Sequence, residues 1–311
     1  MASTNRSSLL TKSHRVLKRH YKPVAPNPER PLLEQLLFAA CLENAHYASA
    51  EEAMTAVRNG FFDWNEIRVS TVKELADVMP MLPNALEAAS RLKRILQSVF
   101  ESNYAFELEG MKKLALGQAI KRLKKLDGTT YFSVCFVTQA CLGGHAIPLD
   151  QGALLSLEIL RLVDDPNPAE PVVPGLERAI SKSKGIEFGS LLHQLGADLV
   201  ANPYSPATHK ILLDISPDAK SRLPKRPSKK QLVVAKSEAA GEKSSKHAAR
   251  AEKPKKPTAT ASEPRSEPPR PRVVQPKRPP AAAKRKSLTD RKKSSATKRR
   301  SGENISRRKP R

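Results

Sequence analysis

The feature that most limits what this chain can fold into is the point where its aromatic residues stop. All fourteen lie at or before Tyr204, and from Ala219 onward there is no Phe, Tyr or Trp. Residues 219–311 carry 12 prolines, and 31 Lys or Arg against 7 Asp or Glu. Such a stretch cannot bury enough apolar surface to offset the entropy of ordering, so disorder is expected there. Any core must be built from what precedes it.

The charge is divided the same way. The full chain is +24, and 219–311 alone account for +24; residues 1–30 add +6, which leaves 31–218 at −6. The basic ends imply a polyanionic partner, since Lys/Arg-rich segments neutralise phosphates and gain affinity by releasing counterions, without reading sequence. The tail has no aromatics to stack on bases, which argues against single-strand specificity. Cys41, Cys135 and Cys141 lie in apolar runs without ligand spacing and read as reduced core thiols. No metal site is expected. No apolar run is long enough for a bilayer, and the first twenty residues lack a hydrophobic signal core. An intracellular monomer is the expectation.

Between the basic ends the periodicity is helical. Residues 1–30 end in YKPVAPNPERP and read as an extended arm; from Pro31 apolar residues recur at helical spacing. Ser49 is a plausible N-cap for AEEAMTAVRN and Ser70 for STVKELADVM, with Glu74 in its first turn. NALEAASRLKRILQSVFES is strongly amphipathic, and MKKLALGQAIKRLKKL, YFSVCFVTQACL, QGALLSLEILRLVD and GSLLHQLGADLVA follow. The expected fold is all-α, with eight or nine helices. Residues 1–30 form a basic flexible arm, 31–215 the helical domain, and 216–311 a disordered basic tail.

Two short stretches carry the candidate chemistry. In LKKLDGTTYFSV a polar turn joins two apolar helices, and in HAIPLDQGALL one carboxylate, Asp150, opens a third. A turn of the first kind points N–H groups at a phosphate, and glycine lets that phosphate come close. Gly128, Thr129 and Thr130 are the candidates, with Lys124 and Lys125 just upstream as a clamp. The plainer reading is a helix connection with a solvated basic face. Asp127 opposes a phosphate unless it caps the next helix. Asp150 reads in two ways, as the N-cap of GALLSLEIL or as a catalytic carboxylate.

The order of these pieces resembles the endonuclease III branch of the helix-hairpin-helix DNA glycosylases. LLFAACLENAH is similar to the family's early buried helix, which places Asn44 at the lesion pocket. PMLPNALEAASRL is similar to its wedge loop, which places Leu82 or Pro83 between bases. LDGTT takes the hairpin position, and Asp150 the catalytic-aspartate position. Two elements of the pattern are missing. The second hairpin glycine is Thr130, and the lyase lysine position is Phe132, eighteen residues before Asp150 as in the family. VANPYSPATHK has no cysteine where many relatives hold an iron–sulfur cluster, so no cofactor is expected.

The resemblance implies a two-lobed fold, double-stranded DNA as partner, and a base-excision repair context. If active, the protein would be a monofunctional N-glycosylase using Asp150 without AP-lyase activity, since phenylalanine supplies no amine for a Schiff base. The alternatives are an inactive glycosylase-fold protein that binds DNA or senses lesions, and a helical protein-interaction domain with a nonspecific tail.

Overall fold

The structure, a computed structural model, describes residues 2–163, 167 and 171–226. The tail expected beyond them, 227–311, lies outside the described residues. Among those described there is no strand, and no helix is long and apolar enough to cross a membrane.

Two hydrophobic cores divide the helices. The first takes α2 (Leu32–Leu42), α3 (Tyr47–Gly60), α4 (Trp64–Val69), α5 (Val72–Asp77), α6 (Ala85–Asn103), a 3-10 turn (Glu109–Lys113), α7 (Leu116–Lys125) and α8 (Tyr131–Ala140). The second takes α1 (Ala2–His20), α9 (Gln151–Ile159), α10 (Leu176–Ala179), α11 (Lys182–Ala201), α12 (Pro206–Ile215) and a final 3-10 turn (Pro217–Ser221). The chain crosses from one lobe to the other twice, at 21–31 and at 141–150.

The apolar rows seen in the sequence account for the packing. α2 buries ten of its eleven residues, as its all-round apolar pattern requires. α6 buries Ala88, Ala89, Leu92, Ile95, Leu96 and Val99 and leaves its charged face outside. The caps differ from those expected by one to three residues. α3 starts at Tyr47 with His46 at its N-cap, so Ser49 is inside the helix. In α5 the capping box is made by Thr71 and Glu74, because Thr71 stands three residues before Glu74 and accepts from its N–H, while the Ser70 hydroxyl donates to the Glu66 carbonyl at the end of α4.

The main correction is at the N-terminus. Residues 2–20 do not form an extended arm: they form α1, which packs on α10, α11 and α12. Leu10, Ser13, Val16 and Leu17 share one stripe at three- and four-residue spacing, and all four are buried. Polar ties fix the helix in place. Lys18 pairs with Glu187 at 2.7 Å, His14 Nε2 lies 2.9 Å from the same carboxylate, and the Tyr21 hydroxyl donates to Asp198 at 2.7 Å. Lys18, Arg19 and His20 in the last turn suit the negative end of the helix dipole. The helical body also runs past residue 215, since Ala219 is fully buried and Arg222 donates to the Ile159 carbonyl.

If α1 is part of the core, truncating its deepest side chain must be costly. Leu17→Ala is expected to lower unfolding free energy by about 2–5 kcal/mol, as for other fully buried leucines. A urea midpoint equal to the parent's would return residues 1–20 to the status of an arm.

Candidate functional site

α7 buries Ala119 and Leu123 and exposes Lys121, Arg122, Lys124 and Lys125 on its outer face. The turn to α8 is shaped by Gly128, whose φ is +87°. A Cβ there would also lie 2.8 Å from the Arg91 carbonyl oxygen of α6, so glycine is required twice over. Thr130 has an ordinary extended φ of −113° and caps α8 reciprocally with Ser133.

The polar groups of this turn are spent inside the protein. The Asp127 N–H donates to Ser98 Oγ at 3.1 Å, the Thr129 N–H to the Leu126 carbonyl at 3.3 Å, and the Thr130 N–H to Ser133 Oγ at 2.9 Å. Thr129 Oγ1 donates to the Leu123 and Leu126 carbonyls. Thr130 Oγ1 donates at 2.7 Å to Glu43, itself 2.7 Å from Arg91. The amides of Thr129 and Thr130 therefore have internal acceptors, and the Thr130 hydroxyl is held by Glu43. Asp127 does not cap α8. It pairs with Arg94, whose hydrogen bond holds its carboxyl below the usual range, so its charge is balanced locally. Of the expected phosphate contacts, Lys124 and Lys125 remain outward.

The second constellation sits where the lobes meet. Asp150 caps α9, with Oδ1 accepting from the Ala153 N–H at 2.8 Å. Its Oδ2 accepts from the Asn44 N–H at 3.1 Å and lies 2.9 Å from His193 Nδ1. The Asp150 side chain has 0% exposure and that of His193 1%. Burial alone would push this carboxyl up. The adjacent His193 charge and contact, with the Ala153 and Asn44 N–H groups, outweigh it and hold the carboxyl below its ordinary value. His193 Nε2 lies 2.9 Å from the Ala45 carbonyl, which can only accept. A proton is thus committed on that side of the ring, and Nδ1 faces the carboxylate within ion-pair distance.

Aromatic rings close the site. The Phe132 ring, 2% exposed, lies tilted at 5.5 Å from the His193 ring, and Tyr47 meets the same ring edge-on at 5.2 Å. Asn44 stands in the left-handed region at φ +62°, which asparagine tolerates better than most residues. Its side-chain oxygen faces the Gly152 N–H at 3.4 Å, beside the Asp150 cap. The structure brings Asn44 to Asp150 and to the start of α9, and Phe132 to the His193 ring that faces Asp150. It adds His193, which has no spacing signal in the sequence; its one legible trait is a histidine within an apolar helix.

The wedge candidates separate. Leu82 is 6% exposed and belongs to the first core, so it is not available for insertion; Pro83 is exposed, and Leu86 one turn on is 63% exposed. The cleft between Glu43, Leu82, Pro83 and Arg91 holds about 10 Å³, room for one water and not for a base.

Asp150→Asn keeps the cap shape and removes the charge beside His193, and it is expected to cost about 3 kcal/mol, the range for breaking a buried pair from one side. The pH dependence follows from the direction of the shift. A depressed folded-state value stabilises fully above the unfolded aspartate pKa of about 3.9, and that stabilisation is lost as pH falls through the folded value. Urea midpoints between neutral pH and acid should thus show a shallower fall below about pH 4 in the variant. Parallel curves would remove Asp150 from the acid transition.

No family model and no curated protein matches this chain. Twelve chains of solved structures do. An 8-oxoguanine glycosylase/lyase from Clostridium acetobutylicum, in complex with DNA, is 15% identical with a TM-score of 0.43, over 62% of this chain and 67% of that one. A trapped endonuclease III–DNA covalent intermediate is 16% identical with a TM-score of 0.45, over 70% and 96%. The 3-methyladenine DNA glycosylase of H. pylori is 16% identical with a TM-score of 0.40, over 71% and 99%. These are the kinds of structure to which the chain is similar.

Proposed function

We propose that this protein binds duplex DNA through a helix-hairpin-helix glycosylase-type body and its basic tail, and holds that DNA without releasing a base. The observation that carries the second half is the enclosure of Asp150, which has no exposed side-chain surface and lies under His193 and Phe132. A carboxylate that stabilises a developing sugar cation has to face the substrate. This one faces its own protein on every bonded side. Phe132, at the position the resemblance gives to the lyase lysine, has no amine to form a Schiff base.

The binding half rests on charge. Lys121, Arg122, Lys124 and Lys125 project from α7, and 227–311 hold 27 Lys or Arg against 7 Asp or Glu. With the turn amides used internally, phosphate attraction comes from side chains, which position DNA and do not read it.

A second reading has one observation in its favour. The groups that cover Asp150 from α2 and its end, the Asn44 N–H and the Ala45 carbonyl bonded to His193, belong to the other lobe. An opening of the lobes on DNA would bare a carboxylate already at a helix N-terminus. The chain would then act as a monofunctional glycosylase that leaves the abasic strand intact.

Base-release assays on a panel of damaged duplexes decide between the two. The expected result is no release above that of Asp150→Asn; release that disappears in this variant would establish the glycosylase. The binding half is tested by fluorescence anisotropy across salt concentrations. Replacing Lys121, Lys124 and Lys125 by Gln should lower the slope of log K against log salt by up to about 3, near 0.9 for each lost phosphate contact. An unchanged slope would move the contacts elsewhere.

A further inference from the structure

Residues 1–28 contain no Asp or Glu. α1 therefore has no carboxylates of its own to neutralise its cations at three- or four-residue spacing, the usual arrangement on a surface helix. Its buried stripe faces α10, α11 and α12. The opposite face carries Ser8, Lys12, Arg15 and Arg19 at four-, three- and four-residue spacing, with Lys22 three residues further on, and all five are exposed. Arg6, nearer the start of the helix, donates to the Leu162 carbonyl and is not part of this row.

The carboxylates on the elements packed against α1 are engaged elsewhere or stand apart. Glu187 faces Lys18 and His14, Asp198 accepts from the Tyr21 hydroxyl and lies 3.7 Å from His46, and Asp214 lies 3.9 Å from His20. Glu177 of α10 is exposed. Among the described residues, no carboxylate is within ion-pair distance of Lys12, Arg15, Arg19 or Lys22. The first lobe treats its cations differently. On α6, Arg91 lies 2.7 Å from Glu43 and pairs also with Glu87, and Arg94 pairs with Asp127. The helix dipole accounts for Arg19 and Lys22 near the C-terminus of α1, but not for Lys12 and Arg15 in its middle.

The surroundings of the row select its partner. A lipid surface takes up the apolar face of a helix, and that of α1 is buried in the second core. Single-stranded nucleic acid is held by stacking; α1 has no Phe, Tyr or Trp, and Tyr21 just beyond it is bonded to Asp198. A duplex backbone requires only cations at intervals. Lys12 and Arg19 lie about 10 Å apart along the helix axis, about the axial rise of three nucleotides on one strand. We propose that the outer face of α1 is a second phosphate-contact surface for duplex DNA, on the lobe that does not carry α7. This face rests on the DNA-binding reading above, and its cations hold the backbone without reading sequence.

The test uses the full chain, a fluorescent duplex and anisotropy across salt concentrations. Lys12→Gln, Arg15→Gln and Arg19→Gln combined in one chain should lower the slope of log K against log salt by up to about 3, near 0.9 for each lost contact. Lys12→Arg, Arg15→Lys and Arg19→Lys combined should keep the parent's slope, because the charges remain. All three positions are exposed, so both variants should melt with the parent. On the unaltered chain, lysine acetylation read by mass spectrometry should slow severalfold at Lys12 and Lys22 when duplex is saturating. A parent that binds no duplex ends the DNA-binding reading and this face with it. A parent that binds, with either an unchanged slope in the glutamine variant or equal acetylation of Lys12 and Lys22 with and without duplex, overturns this face alone. Binding to phosphatidylserine–phosphatidylcholine vesicles that is lost in the glutamine variant, beside an unchanged duplex slope, gives the row to a membrane and also overturns the proposal.

Discussion

The contact on which the site depends is the crossing of α9 and α11, where two backbones meet with no side chain between them. A Cβ on Gly152 would lie 2.3 Å from the Gly196 carbonyl oxygen, and one on Gly196 would lie 2.4 Å from the Ala153 nitrogen. No other residue type permits that approach without moving a helix. Asp150 stands two residues before Gly152, and His193 three residues before Gly196. The crossing therefore sets the 2.9 Å approach of Oδ2 to Nδ1 and removes both groups from water. The Ser156 hydroxyl, buried on the same helix, is satisfied by the Gly152 carbonyl at 2.9 Å, so the close approach leaves that polar group paired.

Burying a carboxylate costs several kcal/mol unless its lone pairs are met, and here each bonded direction has a partner. Two of those partners, the Asn44 N–H and the histidine anchored on the Ala45 carbonyl, tie the first lobe to the second. The same bonds that stabilise the buried charge thus hold the lobes together over it. Catalysis would require breaking them, while a binding protein gains rigidity by keeping them. Phe132 adds to this, because an aromatic ring fills the space next to His193 where a lysine would bring charge and water.

Much of this was legible in the sequence, and the exceptions have physical reasons. The aromatic boundary at Tyr204 and the apolar rows from Pro31 onward identified the helical body, because core burial imposes a period on every helix. Asp150 was legible as a cap, since a short carboxylate before an apolar helix has one local use; that the cap is wholly buried depends on α11, forty residues away, and has no local signal. α1 was hidden by its charge: a stripe of Leu10, Ser13, Val16 and Leu17 is narrow, and the basic residues on the other faces resemble a tail. Leu82 misled for the opposite reason, as a leucine between prolines at a loop looks exposed until the turn folds it inward.

The turn between α7 and α8 is shaped by packing and by its own hydrogen bonds. Gly128 is required because α6 leaves no room for a Cβ, so a glycine here is a packing requirement and not by itself a sign of phosphate contact. Thr130 forms a capping box with Ser133, and its hydroxyl adds a bond to Glu43. Asp127 pairs with Arg94. The groups left facing outward are the long, flexible cations of α7, which would attract a phosphate backbone at the range of the Debye length but fix no register on it. Under the proposed function, DNA would be held by charge, and any selectivity would have to come from another part of the surface.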